Sequence, residues 1–402
     1  MRAITCIFLL TALSGCENEP EVTRPSRPLA RLDSKLQYRI DILPASGPGF
    51  EQGGAINNEG VVAGFARQPD GTLQATRWAA GSAQPLGTVL GGLHSAVQWP
   101  GLNSGGMIVG ISRTAVADPL GEAWSCSAFI PGAGKTCVGF AWENGVMTPL
   151  PTLGGTNGFA AGVNGRGQVV GWAETALHDP TCDVTTSQVL QFRAVLWEPR
   201  NGVTRELPPF PGDSTSAATA INEQGQVVGI SGECDQAVGR RSAIRAVLWD
   251  HGSVSELPNL GGDFWHTPMA INDRGDVVGF SNPPDGNVEG DSIRAFLWTR
   301  DGGIRDLGRL DGDGSSQAMG INTIGQVVGV SCGAVCTAIL WQNGERYVLK
   351  DLVPGFPHHL WSARHINDRG QITGRLIEAG TGRRLAYIAT PIPVPNAAVS
   401  AP

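Results

Sequence analysis

Seven times along this chain an aliphatic residue, an asparagine, two variable residues and a glycine lead into a short, largely apolar run that ends in another glycine. The copies read AINNEGVVAG (55–64), GLNSGGMIVG (101–110), GVNGRGQVVG (162–171), AINEQGQVVG (220–229), AINDRGDVVG (270–279), GINTIGQVVG (320–329) and HINDRGQITG (365–374). Their asparagines are Asn57, Asn103, Asn164, Asn222, Asn272, Asn322 and Asn367, spaced by 46, 61, 58, 50, 50 and 45 residues. A second motif follows, clearest as RAVLW (193–197 and 245–249) and RAFLW (294–298) and weaker around Trp78, Trp142 and Trp341. A third (ELPPF, ELPNL, DLGRL) puts Leu207, Leu257, Leu307 and Leu352 each 15 residues before the next Asn. Apolar runs of four or five bounded by Gly turns are strand signals, and no 3.6-residue period competes with them. Each unit therefore predicts four strands, and four strands in about 50 residues is the size of a propeller blade.

The ends predict a closed ring. The segment 38–43 (YRIDIL) places Ile42 15 residues before Asn57, so it reads as a fourth strand with no first three ahead of it. The segment 385–389 (LAYIA) matches the third strand of a unit that lacks a fourth. Pairing the two completes one blade and removes the exposed sheet edges that invite aggregation. The expectation is an all-β, seven-bladed propeller of four-stranded blades over 37–390, followed by a Pro/Ala-rich tail at 391–402.

These units (GQVVG, RAFLW, DLGRL, a Ser/Gly loop, then IN) resemble the HAF repeat of bacterial proteins expected to be extracellular. Arg294-Ala295-Phe296 carries Arg where the family's triplet has His. The resemblance covers about residues 38–390. It implies export and a repeated β-fold; it brings no activity and no catalytic residue.

The N-terminus agrees on export. Met1-Arg2 and the apolar run Ile4 to Leu13 have the form of a signal peptide. Leu13-Ser14-Gly15-Cys16 resembles the bacterial lipobox, which makes 1–15 the leader and Cys16 the lipid-bearing first residue of the mature chain. At about 0.8 kcal/mol per buried CH₂, more than one acyl chain (palmitate or similar) anchors stably to a membrane. Glu17 in place of the retention-signal Asp favours the outer membrane, and 16–36 reads as a flexible tether.

Composition narrows the partners. The 56 glycines are about twice the usual share of roughly 7%, as many tight turns require. A net charge of −7 argues against a nucleic-acid partner, which selects a basic face. With Cys6 lost and Cys16 lipidated, six cysteines remain: Cys126, Cys137, Cys182, Cys234, Cys332 and Cys336. An even count in an exported chain predicts disulfides. Proximity suggests 126–137 and 332–336, leaving 182–234.

The loops predict where a site lies. From the strand-two Gly to the next Trp the gaps are 32, 26, 20, 19 and 12 residues in blades 2 to 6, whereas the other turns are short and uniform. Variable insertions on one face of a repeat array mark its binding face. The same face receives His94, Trp99, Trp265, His266, His358, His359 and Trp361, which read either as aromatics packed over the propeller mouth or as the candidate binding rim, since aromatic side chains anchor such contacts. The repeated Asn fits turn hydrogen bonding better than a ligand ring, and the repeated Trp fits inter-blade core. Leu310–Ser315 lacks the later acidic ligand of a calcium loop. Neither a catalytic constellation, a metal set nor a cofactor motif is evident.

The function expected is a propeller scaffold for binding or interaction, on a lipid-anchored monomer whose carbohydrate or protein ligand is unknown. The alternative is an enzyme acting on polysaccharide or peptide at the loop-rich face, for which Asp213, Asp263 and Asp313 occupy one equivalent loop position. A structural envelope protein without a small ligand is the third reading.

Overall fold

A computed structural model describes residues 36–122, 124–182, 188–235, 239–284 and 292–393. Cys16, the leader, the tether up to residue 35 and most of the tail lie outside these residues. The chain forms seven four-stranded antiparallel sheets in a ring, a seven-bladed β-propeller. The first strands, Glu51–Ile56, Ser95–Ala96, Gly154–Val163, Thr215–Ile221, Thr267–Ile271, Ser315–Ile321 and His359–Ile366, define blades 1 to 7 in order. First strands of neighbouring blades touch one another from blade 3 through blade 7 and on to blade 1, so they are the inner strands.

Closure follows the expected route. Blade 7 takes its first three strands from the C-terminal end and its fourth, Leu36–Ile42, from the start of the domain. That strand pairs with Arg384–Pro393 in the register Leu36↔Pro393 to Ile42↔Tyr387. Both run slightly beyond the expected 38–43 and 385–389, because the pairing continues to Pro393.

Burial explains why the blades stack. Seven apolar clusters each join residues of two adjacent blades. Between blades 3 and 4, for example, Leu196 and Leu207 meet Ile221, Val227 and Trp249. The repeated Trp does more than fill space. The indole N–H of Trp78, Trp197, Trp249 and Trp341 donates to a carbonyl near the end of the preceding blade's last strand: Pro44, Pro151, Pro208 and Leu307. A buried indole N–H needs such a partner.

Six of the inner strands carry a β-bulge, at Gly54, Ala161, Thr219, Met269, Met319 and Arg364. A bulge re-aims the extra side chain. Five of those positions hold glycine or a neutral side chain, and one holds an arginine.

Candidate functional site

The first-to-second and third-to-fourth turns share one face, and there the asparagines form a ring. Each Asn Nδ2 donates to the backbone carbonyl of the equivalent Asn in the next blade, at 2.8–3.3 Å, through all seven blades. Each Oδ1 accepts an N–H of its own turn, four residues on. The turn role was legible; the inter-blade role was not. The ring surrounds a cup of about 190 Å³, with Ile56, Leu102, Ile221 and Ile321 among its lining and Glu223, Asp273 and Asp368 at its rim.

On the opposite, loop-rich face the three disulfides are Cys126–Cys137, Cys182–Cys234 and Cys332–Cys336, the pairing that proximity suggested. Such bonds persist in oxidising, extracytoplasmic compartments. Among the described residues no helix is long and apolar enough to cross a membrane.

The longest insertion folds inward. Phe129 stacks on Phe159 at 4.8 Å, and Trp99 packs within 5.6 Å of both rings. Arg113 holds this insertion down by donating to the carbonyls of Ile130, Pro131 and Lys135 and to Ser127 Oγ. The resulting cluster draws on blades 1 to 5 and contains Trp265 and Met269.

This corrects part of the expected rim. Trp99, Trp265 and His266 are 3%, 7% and 1% exposed and form part of the interior instead. Trp99 and Trp265 belong to the apolar cluster of blades 1 to 5. Burial pushes His266 down to about 4, and its ring bonds to Ser281 Oγ and the Gly262 carbonyl. The remaining candidates are partly exposed. His94 Nδ1 accepts from the Leu73 N–H, His358 Nδ1 accepts from Ala379, and His359 Nε2 donates to the Cys336 carbonyl. These histidines brace loops rather than converge on one point.

What gathers near Trp361 is a cationic and aromatic seam between blades 7 and 1. The Arg375 guanidinium lies 5.1 Å from the Phe50 ring, 5.5 Å from Phe65 and 5.4 Å from Trp361. Arg67 and Arg384 also sit over Phe50, at 5.2 and 5.6 Å. Arg67, Arg375 and Arg384 have no carboxylate partner among the described residues, although the whole chain is acidic. Burial, then the like charges of Arg364 and Arg384, push Arg375 well below the usual arginine range. His94 borders this seam; burial and then the charges of Arg113 and Arg67 lower its pKa. These arginines stand outside the repeated motifs.

The carboxylates raised most, Glu51 and Glu174, are enclosed. Glu122 and Glu174, both 0% exposed, are bridged by Gln188 Nε2 at 3.3 and 3.1 Å. Burial drives Glu174 up to about 7, and the neighbouring Glu122 adds to it. Asp213 and Asp313 each accept a hydrogen bond from a strand-two serine, Ser231 and Ser331; Asp263 is exposed. The loop aspartates therefore do not assemble into an acid–base pair.

Fold and site together define a seven-bladed propeller with one disulfide-stapled face and an arginine-rich seam on that face. No family model and no curated protein matches the chain. Among solved structures it is similar to an acylaminoacyl peptidase of Pyrococcus horikoshii, with TM-score 0.48 and 9% identity, over 89% of this chain and 52% of that one. The chain thus spans about half the length of that peptidase. It is similar to a gluconolactonase of Xanthomonas campestris, with TM-score 0.38 and 11% identity, over 92% and 99% of the two chains. A third likeness, to AofleA of Arthrobotrys oligospora, has TM-score 0.37 and 9% identity, over 77% and 88%.

Proposed function

We propose that this protein is an exported lipoprotein of HAF-repeat type, anchored through Cys16, whose loop-rich face binds an acidic glycan at the seam between blades 7 and 1. The observation that carries the ligand class is the group of arginines over Phe50 and Trp361 without carboxylate partners. Guanidinium groups recognise carboxylate and sulfate bidentately, and half-buried aromatic edges beside them suit the apolar face of a sugar ring. A neutral ligand leaves those charges unanswered. The reading also fits the disulfides, and the lipobox supports the anchor.

Binding to a glycan array that includes uronic-acid and sulfated polymers tests the ligand class. Acidic glycans are expected to bind and neutral ones not, with affinity falling as salt rises. Replacing Arg67 and Arg384 together with alanine is expected to weaken binding by at least tenfold, since each charged hydrogen bond is worth about 1.5–3 kcal/mol. Equal retention of neutral and acidic glycans removes the seam as the site. For the anchor, Cys16→Ala is expected to move the protein from the detergent phase to the soluble fraction.

A further inference from the structure

Arg364 departs from the repeat in a way the rest of the ring does not require. It occupies the inner-strand bulge, where the equivalent residues are Gly54, Ala161, Thr219, Met269 and Met319. It is 5% exposed, and it reaches the inner strands on both sides. One terminal nitrogen points at Met319 Sδ, 3.5 Å away, and the other donates to Gln52 Oε1 at 3.3 Å. Its Nε has no acceptor. Gln52, 1% exposed and already accepting through Oε1, has an Nε2 with no acceptor either. Arg375 adds a second buried positive charge close enough to be felt. Among the described residues no carboxylate pairs with either arginine.

Arg113 shows what a satisfied buried arginine looks like in this fold, with three carbonyls and a hydroxyl around its guanidinium. Arg364 has a thioether and one amide oxygen instead. A guanidinium does not give up its proton in a protein, and an unpaired buried charge is among the costliest features a fold can hold. A water answers the two idle N–H groups but leaves the charge in place. An anion answers both.

The geometry points to a built-in site for a small inorganic anion, such as chloride, at the axis between blades 6, 7 and 1, held by Arg364 Nε and Gln52 Nε2 with Arg375 nearby. The anion neutralises the inner end of the seam that joins the last blade to the first. This inference stands on the idle donors and is independent of the surface reading above.

The test uses the full mature chain with sodium chloride, bromide and gluconate at equal ionic strength and neutral pH. Chloride and bromide are expected to raise the melting temperature saturably above that in gluconate. Arg364→Met, which fills similar space without charge, is expected to abolish the halide increment. Gln52→Leu keeps the arginine and is expected to raise the half-saturating halide concentration about tenfold, the worth of one hydrogen bond to a charged group. Bromide-soaked crystals are expected to show an anomalous peak within hydrogen-bond distance of both nitrogens. Should Arg364→Met fail to fold, the peak and the Gln52→Leu shift still decide. Equal melting in halide and gluconate, an undiminished increment in Arg364→Met, or bromide peaks only elsewhere overturns the site.

Discussion

Asn367 Nδ2 donates to the backbone carbonyl of Asn57 at 2.8 Å, a hydrogen bond between residues 310 positions apart. It is the last of seven equivalent bonds and crosses the seam where the last blade meets the first. Because Asn367 Oδ1 also accepts the Gln371 N–H at 2.9 Å, one side chain sets its own turn and holds the adjacent blade. Substituting alanine removes one of two hydrogen bonds on the neighbouring blade's Asn carbonyl, which keeps its own turn glycine N–H, and leaves a part-buried turn N–H without its partner. At about 1–3 kcal/mol for the orphaned N–H and about 1 kcal/mol for the lost second bond, Asn222→Ala is expected to cost about 2–4 kcal/mol in urea unfolding. Asn367→Ala is expected to cost the same. A clearly smaller loss for Asn367→Ala would mean that the seam is open in solution.

Much of this architecture was readable because a circular repeat states its rule seven times. The place of the strand at 36–42 as a blade's fourth strand followed from a single spacing, Ile42 to Asn57, and proximity suggested two disulfides and left Cys182–Cys234 as the third. The positions of Trp99, Trp265 and His266 did not. An aromatic in a loop entering an inner strand buries itself just as well over the mouth as inside it, and these three have no counterparts in the other units to compare. The arginines carried a signal of a different kind. After the strand-two glycine the seven units read Phe65, Ile111, Trp172, Ile230, Phe280, Val330 and Arg375. Six apolar residues and one charge mark a place where the last repeat was altered, as Arg364 does at the bulge. Reading the repeats for their differences finds both.

Protonation sets a window for stability. Glu51 is buried; one oxygen accepts the Ser46 N–H at 2.9 Å and the other has no partner. Burial raises its pKa from 4.5 to about 7 against the weaker pull of Ser46, Ala386 and Arg383. The folded state therefore favours the protonated form. Its contribution is fully present below the unfolded pKa of 4.5 and is lost as pH rises through about 7. Glu51→Gln removes that loss while keeping the accepting oxygen. Its melting temperature is expected to match wild type near pH 4.5 and exceed it by a few degrees at pH 8.5; parallel curves at both pH values would refute the assignment.

The acid side works with opposite sign. Burial lowers His266 and His365 from 6.5 to about 4. Their contribution is present above 6.5 and is lost as pH falls through 4. His266→Gln is expected to flatten the acid limb between these values, measured by calorimetry across that range. An unchanged slope would show that His266 titrates normally.

The disulfides are expected to differ in worth by the loops they close. Cys182–Cys234 spans 52 residues and links the insertions of blades 3 and 4, whereas Cys332–Cys336 spans 4 within one hairpin. In the chain-entropy model these correspond to about 4 and about 2 kcal/mol. The double alanine variant at 182 and 234 should therefore unfold at clearly lower denaturant than the one at 332 and 336. The reverse order would place the second disulfide's value in local strain or packing rather than in chain entropy.

Closure itself is testable through the strand that provides it. Leu36–Ile42 is the fourth strand of blade 7, and Tyr38, 1% exposed, packs in the cluster that joins blades 6 and 7. Deleting residues 36–43 uncovers the edge of the Arg384–Pro393 strand from Tyr387 to Pro393, a template for pairing with other chains. It also removes Pro44's neighbour from the carbonyl contact that receives the Trp78 indole. The truncated protein is expected to aggregate or to form dimers by edge pairing, detected by size-exclusion chromatography with light scattering. A synthetic peptide of residues 36–43 added during refolding is expected to restore the monomer, because it supplies the missing ladder from Leu36↔Pro393 to Ile42↔Tyr387. A truncated chain that stays monomeric and melts like the full one would show that blades 1 to 6 hold the ring without the N-terminal strand.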